Sequence, residues 1–220
     1  MRYYPVYLDM RGRHALVVGG GAVGSRKAKT LLRAGARVTV ISPQASDEIR
    51  AHVKKGQLVW YERPYRSSDM EGMFLVFCAT DDPDVNQRIE VDARRHGVLC
   101  NYADQPERGH FILPSIVERG DLLVSISTSG KSPALARRLR KDLEAYFGEE
   151  YIPFLQLMGA VRKELLEQGH APEVHRQHFG RLIDGGLLAM VKSGDREGIE
   201  TLLKSVLGDD MDVGRLMNRQ

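Results

Sequence analysis

Three glycines, Gly19, Gly21 and Gly24, stand in the spacing G-x-G-x-x-G, directly after the apolar run Leu16-Val17-Val18 and directly before Ser25-Arg26-Lys27-Ala28. Glycines so spaced suit the binding of a pyrophosphate. The first lets the chain turn, the second lets backbone approach the phosphates, and the third lets the following helix pack close to the strand. With Ala22 and Val23 they would open a helix whose free N–H groups and positive dipole end face an anion. Glycine clusters also make ordinary loops, so the context has to carry the reading. Ala28, Leu31 and Leu32 recur at helical spacing, Gly35 sits where a C-terminal cap belongs, and Arg37-Val38-Thr39-Val40-Ile41 supplies a further β-branched run. A fold that binds NAD often carries an acid after this second strand to hold the ribose. Here the chain reads Ser42-Pro43-Gln44, with no Arg or Lys closely following to await a 2′-phosphate. The cofactor expected is NAD, its ribose held by Ser42 or by the backbone near Pro43 and Gln44.

Further along, Thr80 and Asp81 fall at the end of the continuous apolar run Met73–Ala79, and Asn101, Tyr102, Ala103 and Asp104 end a later one. In an open α/β sheet those ends border the ligand crevice. Asp81 and Asp82 precede Pro83, and helix N-capping explains them better than catalysis. Asp104, just before Gln105-Pro106, reads on its own as a turn-forming residue. Gly130-Lys131-Ser132 suggests a P-loop but fails its spacing, because Ser125 stands where that loop needs glycine. The following stretch sets Arg137, Arg138, Arg140 and Lys141 against Asp142 and Glu144; a solvated face is the default reading, and a lining for a polycarboxylate or an interface would use the same residues. Cys78 and Cys100 lie in apolar runs without C-x-x-C spacing and are read as small, reduced, buried hydrophobes. His175 and His178, three apart on an expected helix, lack a third ligand and are read as surface histidines, so no metal site is expected.

The elements that must position these groups alternate. Leu16–Val18, in a unit that starts near residue 14, and Arg37–Ile41, Leu58–Glu62, Met73–Ala79 and Val98–Asn101 read as strands. Between them, Ser25–Leu32, Ser46–Lys55 and the segment opened by Pro83, with Val85, Ile89 and Ala93 in register, read as helices. Strand alternating with helix means a Rossmann-type parallel sheet. Tyr4–Leu8 is expected as an additional edge strand, which Pro5 would suit. Beyond residue 108 the pattern changes to a hairpin, Phe111–Val117 and Leu122–Ser127 joined across Glu118–Asp121, followed by a helix capped by Ser132 with Pro133 at its first position. From Glu149 onward the chain is helical, with Ile152, Leu155, Met158 and Leu165 along one helix and shorter apolar segments at Leu187–Val191 and Ile199–Leu207. Asp209–Gln220 is read as a frayed end. The fold class is α/β: a Rossmann domain over 1–110, a small α+β hairpin-helix dimerisation region over 111–148, and an α-helical C-terminal domain over 149–220.

With 220 residues there is ample chain for this, and a formal charge of +3 gives no whole-molecule field that would argue for nucleic acid or a membrane surface. No apolar stretch approaches the ~20 residues of a membrane span, and Met1–Pro5 begins no signal peptide. A cytoplasmic location is expected.

Several of these stretches together resemble the precorrin-2 dehydrogenase family, whose members stand alone or form the N-terminal part of siroheme synthase. They are Leu16–Ala28, Ala79-Thr80-Asp81-Asp82 with Val85-Asn86-Gln87-Arg88, Cys100–Asp104, Phe111–Val117 and Ser127–Arg138, in the family's order between about Tyr4 and Tyr146. The chain ends at Gln220, so the methyltransferase half of the fused enzyme is expected to be absent. The resemblance implies NAD-dependent oxidation of precorrin-2 to sirohydrochlorin and, in some members, a lyase-type insertion of Fe²⁺ to give siroheme. It implies Gly19, Gly21, Ala22, Val23, Gly24, Ser42, Pro43, Gln44, Thr80, Asp81 and Asn101 around the cofactor. It implies Asp104 as the catalytic base, and Thr128, Ser129, Lys131, Arg137 and Arg138 toward the tetrapyrrole's eight carboxylates. Some members carry a phosphorylatable Ser at the position of Thr128. A homodimer formed through residues 111–150 is implied as well. The alternatives are an NAD(H)-sensing module without catalysis and a dehydrogenase of another small metabolite.

Overall fold

A computed structural model of the chain describes residues 2–102, 108–168, 172–208 and 213–217. They fall into two compact units, residues 1–113 and 114–220.

The first unit carries β1 (His14–Val18), α1 (Ala22–Arg33), β2 (Arg37–Ile41), α2 (Asp47–Lys54), β3 (Leu58–Tyr61), a 3₁₀ turn at Ser67–Met70, β4 (Leu75–Cys78), α3 (Pro83–His96) and β5 (Leu99–Tyr102). The strands are all parallel in the order β3-β2-β1-β4-β5. β1 lies in the middle, with Val17 beside Val40 of β2 and Phe77 of β4. Its unbroken apolar run follows from cover on both faces. Ala15 and Val17 share one core with Ala28, Leu31 and Ile49, while Leu16 and Val18 share the other with Ile89 and Ala93. Complete burial of each such leucine or isoleucine contributes about 1.5–3 kcal/mol.

The helix starts follow the sequence signals. Ser46 Oγ accepts from Ile49 N, and Asp82 Oδ1 accepts from Asp84 N at 2.9 Å and Val85 N at 3.1 Å with Pro83 in the first helical position. Tyr4–Leu8 departs from expectation and forms no strand. Tyr4 is 81% and Val6 61% exposed. Pro5 removes a donor, and exposure of Val6, Tyr7 and Leu8 in succession leaves no inward face to set a register.

In the second unit β6 (Ser115–Arg119) and β7 (Leu122–Ile126) form an antiparallel hairpin closed by two residues, Gly120 and Asp121. Gly120 sits at φ +56°, the left-handed conformation that such a tight turn requires. The hairpin starts at Ser115 rather than Phe111, because Phe111 packs edge-on against Phe77 of the first unit's sheet, 5.7 Å between ring centres. α4 (Pro133–Tyr146), capped by Ser132, packs against β6; Val117 and Ala136 are buried. Then come α5 (Tyr151–Glu167), α6 (Pro172–Asp184), α7 (Leu187–Ser193), α8 (Arg196–Leu207) and α9 (Val213–Met217). Their core joins Phe154, Leu157, Val161 and Leu165 to Leu182, Leu187, Leu203 and Leu216. Of the stripe expected on α5, Met158 and Leu165 lie in this core and Leu155 packs against it, whereas Ile152 packs against the hairpin turn at Gly120 instead. The segment read as frayed contains α9, held by buried Leu216.

Candidate functional site

The glycine loop is shaped by its neighbours. Gly19 has φ +115°, and a Cβ on it would lie 2.1 Å from the Ala79 carbonyl oxygen. Its own N–H donates to Ile41 O at 3.0 Å. A Cβ on Gly20 would meet Gln44 O at 2.1 Å, and one on Gly24 would meet Gly19 O at 2.0 Å. Gly21 is the exception, with no neighbouring atom within 4 Å of where its Cβ would stand. It is the N-cap of α1, offers no capping side chain, and no acid lies in the first turn. Among the described residues no side chain caps the leading N–H groups of α1, at Ala22 and Val23, and the space beside Gly21 is open, as an anion cradle requires. A dinucleotide's pyrophosphate fits this place.

At the end of β2, Ser42 N donates to Tyr61 O at 3.3 Å and Ser42 O accepts from the indole N–H of Trp60 at 3.0 Å. Pro43 and Gln44 are exposed. Arg50 of α2 lies over the Trp60 ring, 4.8 Å from its centre, and its Nε donates to Ala45 O. Sequence reasoning missed this pair. The available signals were an Arg four residues after the Ser46 cap and a Trp in the neighbouring strand.

At the ends of β4 and β5 the expected residues separate by role. Thr80 Oγ1 accepts from Asp82 N, and Thr80 O accepts from the buried amide of Asn86 at 3.0 Å. Both contacts fix the Ala79-Thr80 backbone against Gly19. Asp82 is spent on capping, while Asp81 is exposed at the same turn. Asn101 was expected to touch the cofactor. It is 4% exposed and its amide donates to Phe111 O at 2.8 Å, so its donor is committed to the fold. His110 N also donates to Cys100 O at 2.8 Å, and Cys100 N to His110 Nδ1 at 3.3 Å. Arg108 pairs with Glu90 and lies over the Tyr102 ring. Asp104 lies outside the described residues; the chain on each side of its segment is held by these contacts.

Cys78 and Cys100 are buried and not joined in a disulfide, with their Sγ atoms 3.6 Å apart across β4 and β5. Contact with the Cys78 thiol lowers the Cys100 pKa, and burial pushes the Tyr102 phenol far up, keeping it protonated. His175 and His178 are half-buried on α6 rather than on the surface. Among the described residues no three His, Cys, Asp or Glu side chains are placed to hold a metal.

In the second unit Thr128 Oγ1 accepts from Ser132 N and Ser127 Oγ from Ser129 N. Ser129 takes φ +53° despite having a side chain. Arg138 pairs with Asp142 at 3.1 Å and Arg140 with Glu144. Lys131, Arg137 and Lys141 are exposed, and no carboxylate among the described residues pairs with them. The Arg138–Asp142 pair is 77% and 54% exposed, so it is worth little and readily exchanges for another carboxylate.

Residues 6–115 match the family model described as putative NAD(P)-binding, and residues 119–146 match that of the central region of a sirohaem biosynthesis protein. Siroheme synthase of Photorhabdus laumondii is 33% identical over 207 residues, which cover 94% of this chain and 44% of that protein. Siroheme synthase of Nitrosococcus oceani is 34% identical over 207 residues, with the same two coverages. This chain therefore spans less than half the length of these curated relatives. A solved structure titled SirC, precorrin-2 dehydrogenase, aligns at a TM-score of 0.77 and 31% identity, covering 92% of this chain and all of that one. The glycine cradle, the strand order and a match that covers all of the SirC chain lead to one assignment: the chain belongs to the precorrin-2 dehydrogenase family.

Proposed function

We propose that the chain oxidises precorrin-2 to sirohydrochlorin, with NAD as the hydride acceptor. The observation that carries this reading is the uncapped start of α1 under open space at Gly21. Bound there, NAD would supply a two-electron acceptor. The chain's own residues do the rest. Gly19, Gly21 and Gly24 with the N–H groups of Ala22 and Val23 hold the pyrophosphate; Ser42, Pro43 and Gln44 border the ribose; the Thr80-Asp81 turn borders the crevice. Asp104 takes the proton that leaves with the hydride, and Asn101 acts through the chain around it, pinning Phe111 where the segment returns. Lys131, Arg137 and Arg138 meet substrate carboxylates, Arg138 by releasing Asp142, with Thr128 and Ser129 as flanking donors. A base able to take that proton could also take pyrrole N–H protons, so insertion of Fe²⁺, as a second substrate, is included in the proposal. A cytoplasmic location is part of the proposal. No helix among the described residues is long and apolar enough to cross a membrane.

Protein, NAD and precorrin-2 mixed together should yield NADH absorbance alongside the spectrum of sirohydrochlorin. Absence of both signals would sink the reading and favour an NAD-sensing module; NADH formed only with some other metabolite would favour a different dehydrogenase.

Segment 111–148 is proposed as the dimerising piece, between a cofactor domain at 1–110 and a helical domain at 149–220. Ile116 and Leu123 are exposed on one face of the hairpin, and Leu135, Leu139 and Tyr146 are exposed along α4. Five large apolar side chains in so small a segment favour cover by a second copy. Light scattering at micromolar concentration should return twice the chain mass, and Leu135→Glu with Leu139→Glu should return the monomer. A monomeric wild type would reject the dimer.

A further inference from the structure

We propose that Arg50 and Ser42 form a subsite for a ribose 2′-phosphate, so that the chain binds NADP as well as NAD. The inference rests on the glycine-loop reading, which places the adenosine ribose at the end of β2. A carboxylate at that place accepts from the ribose hydroxyls and repels a phosphate; this chain has the hydroxyl of Ser42 instead. By sequence the nearest following cation is eight residues away. The fold brings it back, because Arg50 lies one helical turn past the Ser46 cap and its Nε reaches Ala45 O at 3.1 Å. The guanidinium then lies 4.8 Å over the Trp60 ring, whose indole N–H is in turn fixed to Ser42 O at 3.0 Å. Ser42, Trp60 and Arg50 are one connected array on the rim of the β2 end.

Three features make Arg50 more than a packing residue. Its Nε is used by a carbonyl, no carboxylate among the described residues pairs with it, and the residue is exposed. Its charge is thus oriented by stacking and not neutralised, the state in which a guanidinium takes a phosphate. Glu48, in the first turn of the same helix, is engaged by Lys29 at 3.6 Å. Asp47 of that turn faces the positive end of the helix dipole, which partly offsets its charge.

Trp60 is the chain's only tryptophan, so its fluorescence reports on this rim without a label. NAD and NADP titrated separately into the intact chain, read by Trp60 fluorescence and by calorimetry, should give dissociation constants within about tenfold of each other. Arg50→Gln should then shift the NADP-to-NAD affinity ratio against NADP by about 10–100-fold, the worth of a charge-assisted contact, and Arg50→Lys should recover part of it. Two results overturn the proposal while leaving the dinucleotide site intact: wild type binding NAD but NADP more than about 100-fold more weakly, or Arg50→Gln weakening both nucleotides equally. Wild type binding neither nucleotide would remove the glycine-loop reading and the subsite with it.

Discussion

Asp104→Asn should lower the rate of precorrin-2 oxidation by about 10²–10⁴ while leaving NAD affinity unchanged. Asparagine keeps nearly the shape of aspartate and favours the same turns, so a residue serving only the turn before Gln105-Pro106 would tolerate the exchange. What asparagine lacks is a basic oxygen. Single-turnover formation of NADH, with NAD affinity measured in parallel by calorimetry, separates the two roles by orders of magnitude. If Fe²⁺ insertion belongs to this chain, supplied sirohydrochlorin should also be metallated more slowly by the variant. Wild-type rates in both assays would return Asp104 to a structural role. The anchoring residues give an internal comparison. Asn101→Ala removes the donor that holds Phe111 O, so it should depress turnover through disorder of the segment rather than through lost basicity, and without the altered pH profile expected of Asp104→Asn.

Gly21→Asp should abolish NAD binding without unfolding the protein, whereas Gly24→Ala should do more harm to the fold than its single added methyl suggests. Gly21 has φ −77°, which any residue adopts, and its Cβ direction is empty to 4 Å. A carboxylate there meets only the incoming pyrophosphate, and like charges so juxtaposed cost several kcal/mol, a loss of about 10²-fold or more in affinity. At Gly24 the added carbon would lie 2.0 Å from Gly19 O and 3.5 Å from Val17 Cγ1, so helix and strand must separate. Such overpacking costs about 1–3 kcal/mol or more and should lower the urea midpoint. A Gly21→Asp protein that bound NAD normally would place the cofactor elsewhere. A Gly24→Ala protein of unchanged midpoint would show that α1 is free to shift.

Local chemistry was readable along the chain; partnership across it was not. Ser46, Asp82 and Ser132 announce helix starts because a short polar side chain before a helical run has one common use, satisfying the first free N–H groups. The glycine spacing announces a cradle for the same kind of reason. No local pattern tells Asn101 that its partner is Phe111, ten residues on beyond a turn, or brings Arg50 onto Trp60. These contacts depend on how parallel strands align, and that register is set by long-range packing. The same ignorance of register kept Cys78 and Cys100 apart in the sequence, although they touch across β4 and β5. Tyr4–Leu8 failed in the opposite direction: its residue types favour strands, but no sheet edge takes it up. Asp104 drew its role from family resemblance alone, since an aspartate before Gln-Pro has a sufficient conformational explanation.

The placement of β1 beside β4 also sets a timetable for synthesis. Ala15 pairs with Leu75, and Gly19 is fitted against the Ala79 carbonyl, in each case sixty residues later in the chain. At about 5–20 residues per second, the ribosome needs about 3–12 s to supply the second partner. For that interval the nascent chain carries Ala15–Val18, which ends wholly buried, with one flank of its sheet position unfilled. The phosphate cradle cannot reach its final shape sooner, since the backbone that confines Gly19 has yet to be made. In this protein the ability to bind its cofactor arrives only after β4 emerges, and a chaperone that shelters short apolar strands has its window between those two events.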